Sequence, residues 1–94
     1  MRRLEVSRQA RQDLKEIVRC VARDKPAATH RLREDLEVAF RLLAWEPLMG
    51  EERRDLGTDV RMFSVSNYVI FFRASESGVE IARVIHGGRD ASTL

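Results

Sequence analysis

The chain has 94 residues, of which 44% are apolar and 34% charged, a balance that predicts one folded domain over residues 1–94. No apolar run approaches the roughly 20 residues that a membrane helix needs, and MRRLEVSRQ lacks the apolar stretch of a secretory signal. A single cysteine, Cys20, excludes an internal disulfide and fits a reducing compartment. We therefore expect a cytoplasmic protein that has no membrane partner.

The charges are segregated along the chain although the net charge is only +2. Residues 1–33 carry a net charge of +6, residues 34–60 carry −5, and residues 61–94 carry +1. All basic residues except Lys15 and Lys25 are arginines, whose planar heads make two-pronged contacts to carboxylates and phosphates. Either a codon bias that favours arginine or an electrostatically matched partner explains this composition.

The first third of the chain predicts a short strand followed by a helix. Leu4 to Val6 alternates as a strand does, and Ser7 is a typical N-cap residue. The apolar residues that follow fall on one helical stripe: Ala10, Leu14, Ile17, Val18 and Val21. Cys20 lies on the flank of this stripe, where we interpret it as a small buried filler.

A second helix is predicted after Asp24-Lys25-Pro26, since proline suits the first turn of a helix. Its apolar stripe ends at Trp45-Glu46-Pro47 and consists of Ala28, Leu32, Leu36, Ala39, Phe40 and Leu43. A short connection between two amphipathic helices makes them an antiparallel helical hairpin. Trp45 either caps the core or acts as an anchor in an interface.

The last third predicts three strands after a turn at Leu48-Met49-Gly50 and a solvated charge cluster at residues 51–55. The strands are 60–65, 68–74 and 79–85, separated by Ser66-Asn67 and by residues 75–78. Phe71 and Phe72 are consecutive in a strand, so one points to each face of the sheet. The predicted fold is α+β: an N-terminal strand, a helical hairpin and a three-stranded antiparallel meander, in the order β-α-α-β-β-β.

The best polar cluster in the sequence is His86-Gly87-Gly88-Arg89-Asp90, at the end of the last strand. A histidine can transfer a proton and an arginine can stabilise phosphate charge, so RNA cleavage is one interpretation. The other is a structural or partner-binding end of the sheet, which we favour. The sequence has no zinc motif and no phosphate-binding loop, so we predict no catalytic residue, no metal site and no cofactor.

Three segments together resemble a known family: SRQARQDLKEIVRC, EPLMGEERRDLGTDVR and RMFSVSNYVIFFRASESGVEIARVIHGGRD. They are similar to the ParE branch of the RelE/ParE toxins of bacterial type II toxin–antitoxin pairs. The resemblance spans nearly the whole chain. It is most specific in the last third, where an arginine opens a strand and a His-Gly-x-Arg-Asp type tail ends one.

The two branches of this family imply different targets. RelE-type members are ribosome-dependent ribonucleases with several basic residues on the sheet and, often, a C-terminal tyrosine. Here Tyr68 is the only tyrosine and both lysines fall in the helical hairpin, which disfavours a ribonuclease without excluding it. The arginines that keep this alternative open are Arg61, Arg73, Arg83 and Arg89.

The ParE branch implies a toxin that blocks replication by binding DNA gyrase and that catalyses no reaction. The resemblance also implies a ParD-like antitoxin, which dimerises, contacts operator DNA and forms a hetero-oligomer with the toxin. For the target we consider the arginine that opens the strand and the polar tail: Arg61, His86, Arg89 and Asp90. For the antitoxin, charge and periodicity suggest the first helix and the sheet edge, with these candidates: Arg11, Arg19, Trp45 and Arg73.

Overall fold

The computed structural model describes residues 3–87. These residues form two helices and five strands, connected by single 3-10 turns at Pro26–Ala28 and Pro47–Met49. In chain order the elements are β1 (Arg3–Val6), α1 (Arg8–Asp24), α2 (Thr29–Trp45), β2 (Glu51–Glu52), β3 (Val60–Val65), β4 (Tyr68–Ser75) and β5 (Gly78–His86). The predicted helical hairpin and the predicted meander are confirmed.

The strands form one mixed sheet in the order β1-β5-β4-β3-β2. β3, β4 and β5 pair antiparallel as hairpins, whereas β1 pairs parallel with β5, Arg3 opposite Gly78 and Val6 opposite Ile81. Gly78 has a φ of 153°, and a Cβ at this position would overlap the Arg3 carbonyl. A glycine therefore allows β1 to lie this close to β5.

Both helices cover one face of the sheet; the predicted α2 stripe is buried from Leu32 to Leu43, whereas Ala28 is exposed in the 3-10 turn before the helix. The core combines Ala10 of α1 with the α2 stripe and with the helix-facing residues of β4 and β5: Leu32, Leu36, Ala39, Phe40, Leu43, Ala44, Ile70, Phe72, Val79, Ile81 and Val84. Leu14, Ile17 and Val21 of α1 pack against this core and remain partly exposed. The alternation of the strands and the 3.6-residue period of the helices thus converge on one apolar layer.

Ser7 forms the junction between β1 and α1. Its hydroxyl accepts a hydrogen bond from the Ala10 N–H at 3.0 Å, which makes it the predicted N-cap, and donates to the Ala82 carbonyl at 2.8 Å. Ala82 is the extra residue of a β-bulge, since Phe71 pairs with Arg83 and Phe72 with Ile81. One side chain therefore begins the helix and satisfies a bulged carbonyl of the neighbouring strand.

The segment 51–55, predicted as a solvated charge cluster, is in part a strand. Glu51 and Glu52 form β2, opposite Met62 and Arg61 of β3, with their side chains exposed. Arg53 follows with its guanidinium carbon 5.8 Å from the centre of the Phe71 ring. Phe71 and Phe72 are both buried, so neither face of the sheet leaves its phenylalanine exposed.

Two single-residue interpretations from the sequence are wrong. Cys20 is exposed rather than buried, because the flank of the α1 stripe lies in an open cleft beside the end of β5. Trp45 does not cap the core: 61% of its surface is exposed, because it is the last residue of α2, one position past the buried Ala44. In the described part of the chain no helix is long and apolar enough to span a membrane.

Gly50 lies where the chain leaves α2 and passes over the buried Phe72 ring. A Cβ at this position would overlap Phe72 Cζ, lie 2.7 Å from Phe72 Cε1 and lie 3.1 Å from Arg61 Cβ. The backbone of residue 50 therefore packs directly on an aromatic ring that has no room to move.

We expect Gly50→Ala to lower the free energy of unfolding by about 1–3 kcal/mol, because the new methyl group overpacks the core at Phe72. Urea unfolding followed by circular dichroism measures the change. Gly87→Ala is the matched control, since its Cβ would meet nothing closer than 3.3 Å and should cost less. Equal losses in the two variants would contradict this account of Gly50.

Candidate functional site

A groove of about 590 Å³ runs between α1 and α2 on the outer side of the helical layer. Its floor is apolar and consists of Leu14 and Val18 from α1 with Leu36 and Phe40 from α2. Leu14 and Val18 are partly exposed, whereas Leu36 and Phe40 are buried core residues that reach the bottom of the groove. An apolar floor of this length between two helices accommodates an amphipathic helix or an extended segment.

The rim of this α1–α2 groove is mainly basic. Lys15, Arg19 and Arg33 line it, and among residues 3–87 none of the three forms an ion pair. Glu37 is the acidic residue on the rim, and it pairs with Arg41 one turn further along α2 at 3.6 Å. The rim therefore presents unpaired positive charge around an apolar floor, which favours a ligand with carboxylates flanking apolar side chains.

The four antitoxin-binding candidates do not converge on one surface. Arg19 lines the α1–α2 groove, while Arg11, two turns earlier on α1, is exposed and donates from Nε to the Val6 carbonyl at 3.2 Å. Trp45 is exposed at the far end of α2. Arg73 is exposed on β4, beside a cleft with Arg3, Glu5 and Asp59 at another edge of the molecule.

Arg61, a target-binding candidate, is held in place by its neighbours. Its guanidinium donates to the Gly50 carbonyl at 2.7 Å and pairs with Glu52 at 3.2 Å. Only 17% of its side chain is exposed, because the segment after α2 folds over it. In this structure Arg61 anchors that segment to β3.

His86, the second target-binding candidate, ends β5 beside Tyr68. The two rings meet edge to face, with centroids 5.5 Å apart. His86 pairs with Tyr68 at the start of β4, whereas Arg61 pairs with Phe72 four residues further along that strand, about 13 Å away. The sheet therefore does not bring Arg61 and His86 together. The other two target candidates, Arg89 and Asp90, lie outside the described residues.

A polar cluster joins α1 to the upper half of β5. Beyond Ile81, β5 has lost β1 as a neighbour, and Asp13 of α1 takes its place. The Asp13 carboxylate accepts from the Val84 backbone N–H at 3.0 Å and from the Arg83 guanidinium at 2.8 and 3.1 Å. Asp13 is largely shielded, with 11% of its side chain exposed, so these bonds are made with little competition from water.

Arg53 and Asp55 form a two-pronged ion pair at the surface, with distances of 2.9 and 2.7 Å. The hydrogen bond from Arg53 holds the pKa of Asp55 below its usual range, and the same contact raises the pKa of Arg53. Arg53 also donates to the Met62 sulfur at 3.3 Å, so its head is engaged on three sides, counting the Phe71 ring. Within residues 3–87 no three His, Cys, Asp or Glu side chains are grouped closely enough to hold a metal ion.

Comparison with known proteins identifies the family. Residues 4–91 match the family model described as the ParE toxin of the type II toxin–antitoxin system, parDE. The chain belongs to this family. It is also similar to a solved structure described as the chromosomal ParDE TA system from P. aeruginosa, with a TM-score of 0.76 and 20% identity over 92% of this chain and 96% of that one. No curated protein matches it significantly in sequence.

In this ParE-family toxin, sequence reasoning missed most of the α1–α2 groove. Arg19 was a candidate from charge and periodicity, but the position of Arg33 across the groove from it depends on how the two helices pack. The sequence did contain a signal for this groove. In α2, Leu36 and Phe40 lie one turn apart with the charged residue Glu37 beside them, and α1 carries cations at positions i, i+4 and i+8. These two patterns form one surface only because the helical hairpin places α1 beside α2.

We expect Asp13→Ala to destabilise the toxin by about 2–4 kcal/mol, since the Val84 N–H and the Arg83 guanidinium both lose a charged acceptor. Asp13→Asn should cost less, because its amide oxygen still accepts one hydrogen bond. Urea unfolding monitored by circular dichroism provides the measurement. Glu16→Ala, one turn away in the same cleft and exposed, should change stability by less than about 0.5 kcal/mol. An Asp13→Ala effect as small as the control's would mean that this junction contributes nothing.

Proposed function

We propose that this toxin is neutralised by a ParD-like antitoxin and that it blocks replication by binding DNA gyrase, without a reaction of its own. The observation that carries the antitoxin part is the α1–α2 groove, with its apolar floor and its unpaired basic rim. Membership of a family defined by toxin–antitoxin pairs supports the same conclusion.

The charge of the groove specifies the antitoxin segment. A segment that lays leucine-like side chains on Leu14, Val18, Leu36 and Phe40 brings its own flanking residues over the rim. Acidic residues at those positions pair with Lys15, Arg19 and Arg33, and they keep the unbound segment charged and disordered until it meets the toxin. The antitoxin then forms a hetero-oligomer with the toxin and contacts operator DNA through its own domain.

The state of the arginines supports action by binding rather than by RNA cleavage. Phosphate chemistry needs cations aimed at the developing charge and free to contact it. Of the four arginines that keep RNA cleavage open, Arg61 is engaged by Gly50 and Glu52 and Arg83 by Asp13, whereas Arg73 is exposed and Arg89 lies outside the described residues. A surface built this way offers shape and fixed charge to a macromolecule.

We expect Arg19→Glu to weaken the complex with the cognate antitoxin about tenfold or more, since it replaces an attraction at the rim with a repulsion. The dissociation constant is measured with purified toxin and antitoxin by calorimetry. Arg31→Glu is the matched control: it makes the same charge change at an exposed position of α2 outside the groove. If both variants bind equally well, the antitoxin does not use this groove.

We expect the purified toxin to inhibit DNA supercoiling by gyrase and to trap cleaved DNA, and the antitoxin to relieve both effects. Truncation after Gly88, which removes Arg89 and Asp90, should abolish the inhibition and leave antitoxin binding unchanged. Reporters of DNA damage and mapping of RNA ends after regulated expression show which target is hit in the cell. Cleaved mRNA on ribosomes with unaffected gyrase would replace this proposal with a ribonuclease toxin.

A further inference from the structure

The outer side of α2 carries a second apolar stripe, separate from the one that faces the sheet. Val38, Leu42 and Trp45 follow each other at i, i+4 and i+7, and they are 60%, 41% and 61% exposed. The stripe continues into the turn after the helix with Leu48 and Met49, which are 75% and 47% exposed. A helix covered by its own protein on one face normally presents polar residues on the other, so this stripe marks an interaction surface.

Beside this stripe lies an open groove of about 330 Å³ between α2 and β3. Val38, Ala39 and Leu42 form its α2 wall, and Phe63 and Val65 form its β3 wall. Asp35 and Ser64 complete the lining. This α2–β3 groove is therefore apolar along both walls and has a carboxylate at one end.

The β3 wall of the groove ends in a free strand edge. β2 pairs only with Arg61 and Met62, so in the described part of the chain residues 63–65 have no strand on that side. The Val60 carbonyl accepts from the Arg53 N–H on the β2 side, and backbone groups alternate along a strand. By this parity the N–H and C=O of Ser64 also point outward, where an added strand can pair with them.

The charge around the α2–β3 groove is opposite to that around the α1–α2 groove. Asp35 lines the groove, Glu46 follows Trp45, and within residues 3–87 neither carboxylate forms an ion pair. The segment 34–60 that contains both carries a net charge of −5. A second copy of this chain would bring the same carboxylates together, which opposes a symmetric pairing, whereas a basic segment would be attracted.

We propose that the α2–β3 groove binds an extended, basic segment of the toxin's protein target, which adds a strand to β3 at Ser64. The apolar side chains on the helix-facing side of that segment lie on Val38, Leu42 and Phe63, and Lys or Arg residues at its two ends pair with Asp35 and Glu46. The antitoxin segment that suits the α1–α2 groove is acidic, so it has the wrong sign for this one. The statement that this segment belongs to the toxin's target rests on the proposed function. The statement that the groove suits an extended basic segment rests on the groove's own residues.

The direct test uses a short synthetic peptide whose centre alternates valine and serine and whose two ends carry lysines; it is titrated into isotope-labelled toxin and followed by NMR. We expect amide shifts at residues 63–65 and methyl shifts at Val38 and Leu42. Ser64→Pro removes the outward N–H without touching the hydrogen bonds to β4, so it should weaken peptide binding about tenfold. Ser64→Ala keeps the backbone donor and should bind like the unaltered toxin. Retained binding by a folded Ser64→Pro variant overturns the proposal.

A charge test keeps the proposal falsifiable if Ser64→Pro fails to fold. A peptide with the same valine and serine centre and glutamates at its two ends should bind about tenfold more weakly than the lysine peptide, and Asp35→Lys should reduce or reverse this difference in affinity. Equal binding of the two peptides by the unaltered toxin would reject the basic segment. Concentration-dependent dimers in sedimentation that are lost in Ser64→Pro would show that a second copy occupies the groove instead.

Two further measurements separate this inference from the proposed function. Toxin saturated with its antitoxin should still bind the lysine peptide, and displacement of the peptide would assign the groove to the antitoxin. If gyrase is the target, Ser64→Pro should lose gyrase inhibition and keep its affinity for the antitoxin. If unaltered toxin does not inhibit gyrase, the proposed function fails, and the peptide titrations still decide whether the groove binds an extended basic segment.

Discussion

The bonds from Asp13 to β5 fix the geometry on which the rest of this toxin depends. β1 covers only the first half of β5, and the bulge at Ala82 comes where that cover ends. Ser7 satisfies the bulged carbonyl, and Asp13 satisfies the next exposed N–H and holds Arg83. Helix α1 thus replaces a strand along the upper edge of β5, which sets its height and angle over the sheet.

Helix α2 lies between two grooves whose surroundings carry opposite charge. One side of α2 meets the cations of α1 across the apolar floor of Leu36 and Phe40. The other side presents Val38 and Leu42 to the short edge of β3, with carboxylates nearby. One helix therefore separates a groove with a basic rim from a groove with carboxylates nearby, so the segregation of charge along the sequence corresponds to two different surfaces of the domain.

The predictable parts of this fold are those whose pattern is local. The stripe from Leu32 to Leu43 repeats with the helical period, and the turns at Ser66-Asn67 and before Gly78 separate apolar runs, so helices and meander follow from spacing alone. The strand at Glu51–Glu52 could not be predicted, because two exposed glutamates have low strand propensity and pair only through the backbone of β3. The strand conformation of these two residues therefore depends on a tertiary contact with β3.

The exposure of the candidate residues was predictable only where it follows from a local pattern. The exposed position of Arg19 could be predicted from periodicity, because it lies on a regular helix whose exposed side is visible in the sequence. Arg61 has the same residue type and the same apparent exposure, but Gly50 and Glu52 occupy its guanidinium, and only the path of the chain after α2 brings them there. Likewise the burial of Phe71 depends on Arg53, eighteen positions earlier, folding back across the ring.

The parallel pairing of β1 with β5 has a consequence for folding of the toxin. Residues 3–6 stay unpaired until residues 78–81 are available to pair with them. The hydrogen bonds of Asp13 and Ser7 to β5 also form only when this strand is in place. The helical hairpin can form from local contacts alone, but the sheet is complete only once β5 lies between β1 and β4, so folding of the toxin requires contacts between distant parts of the sequence.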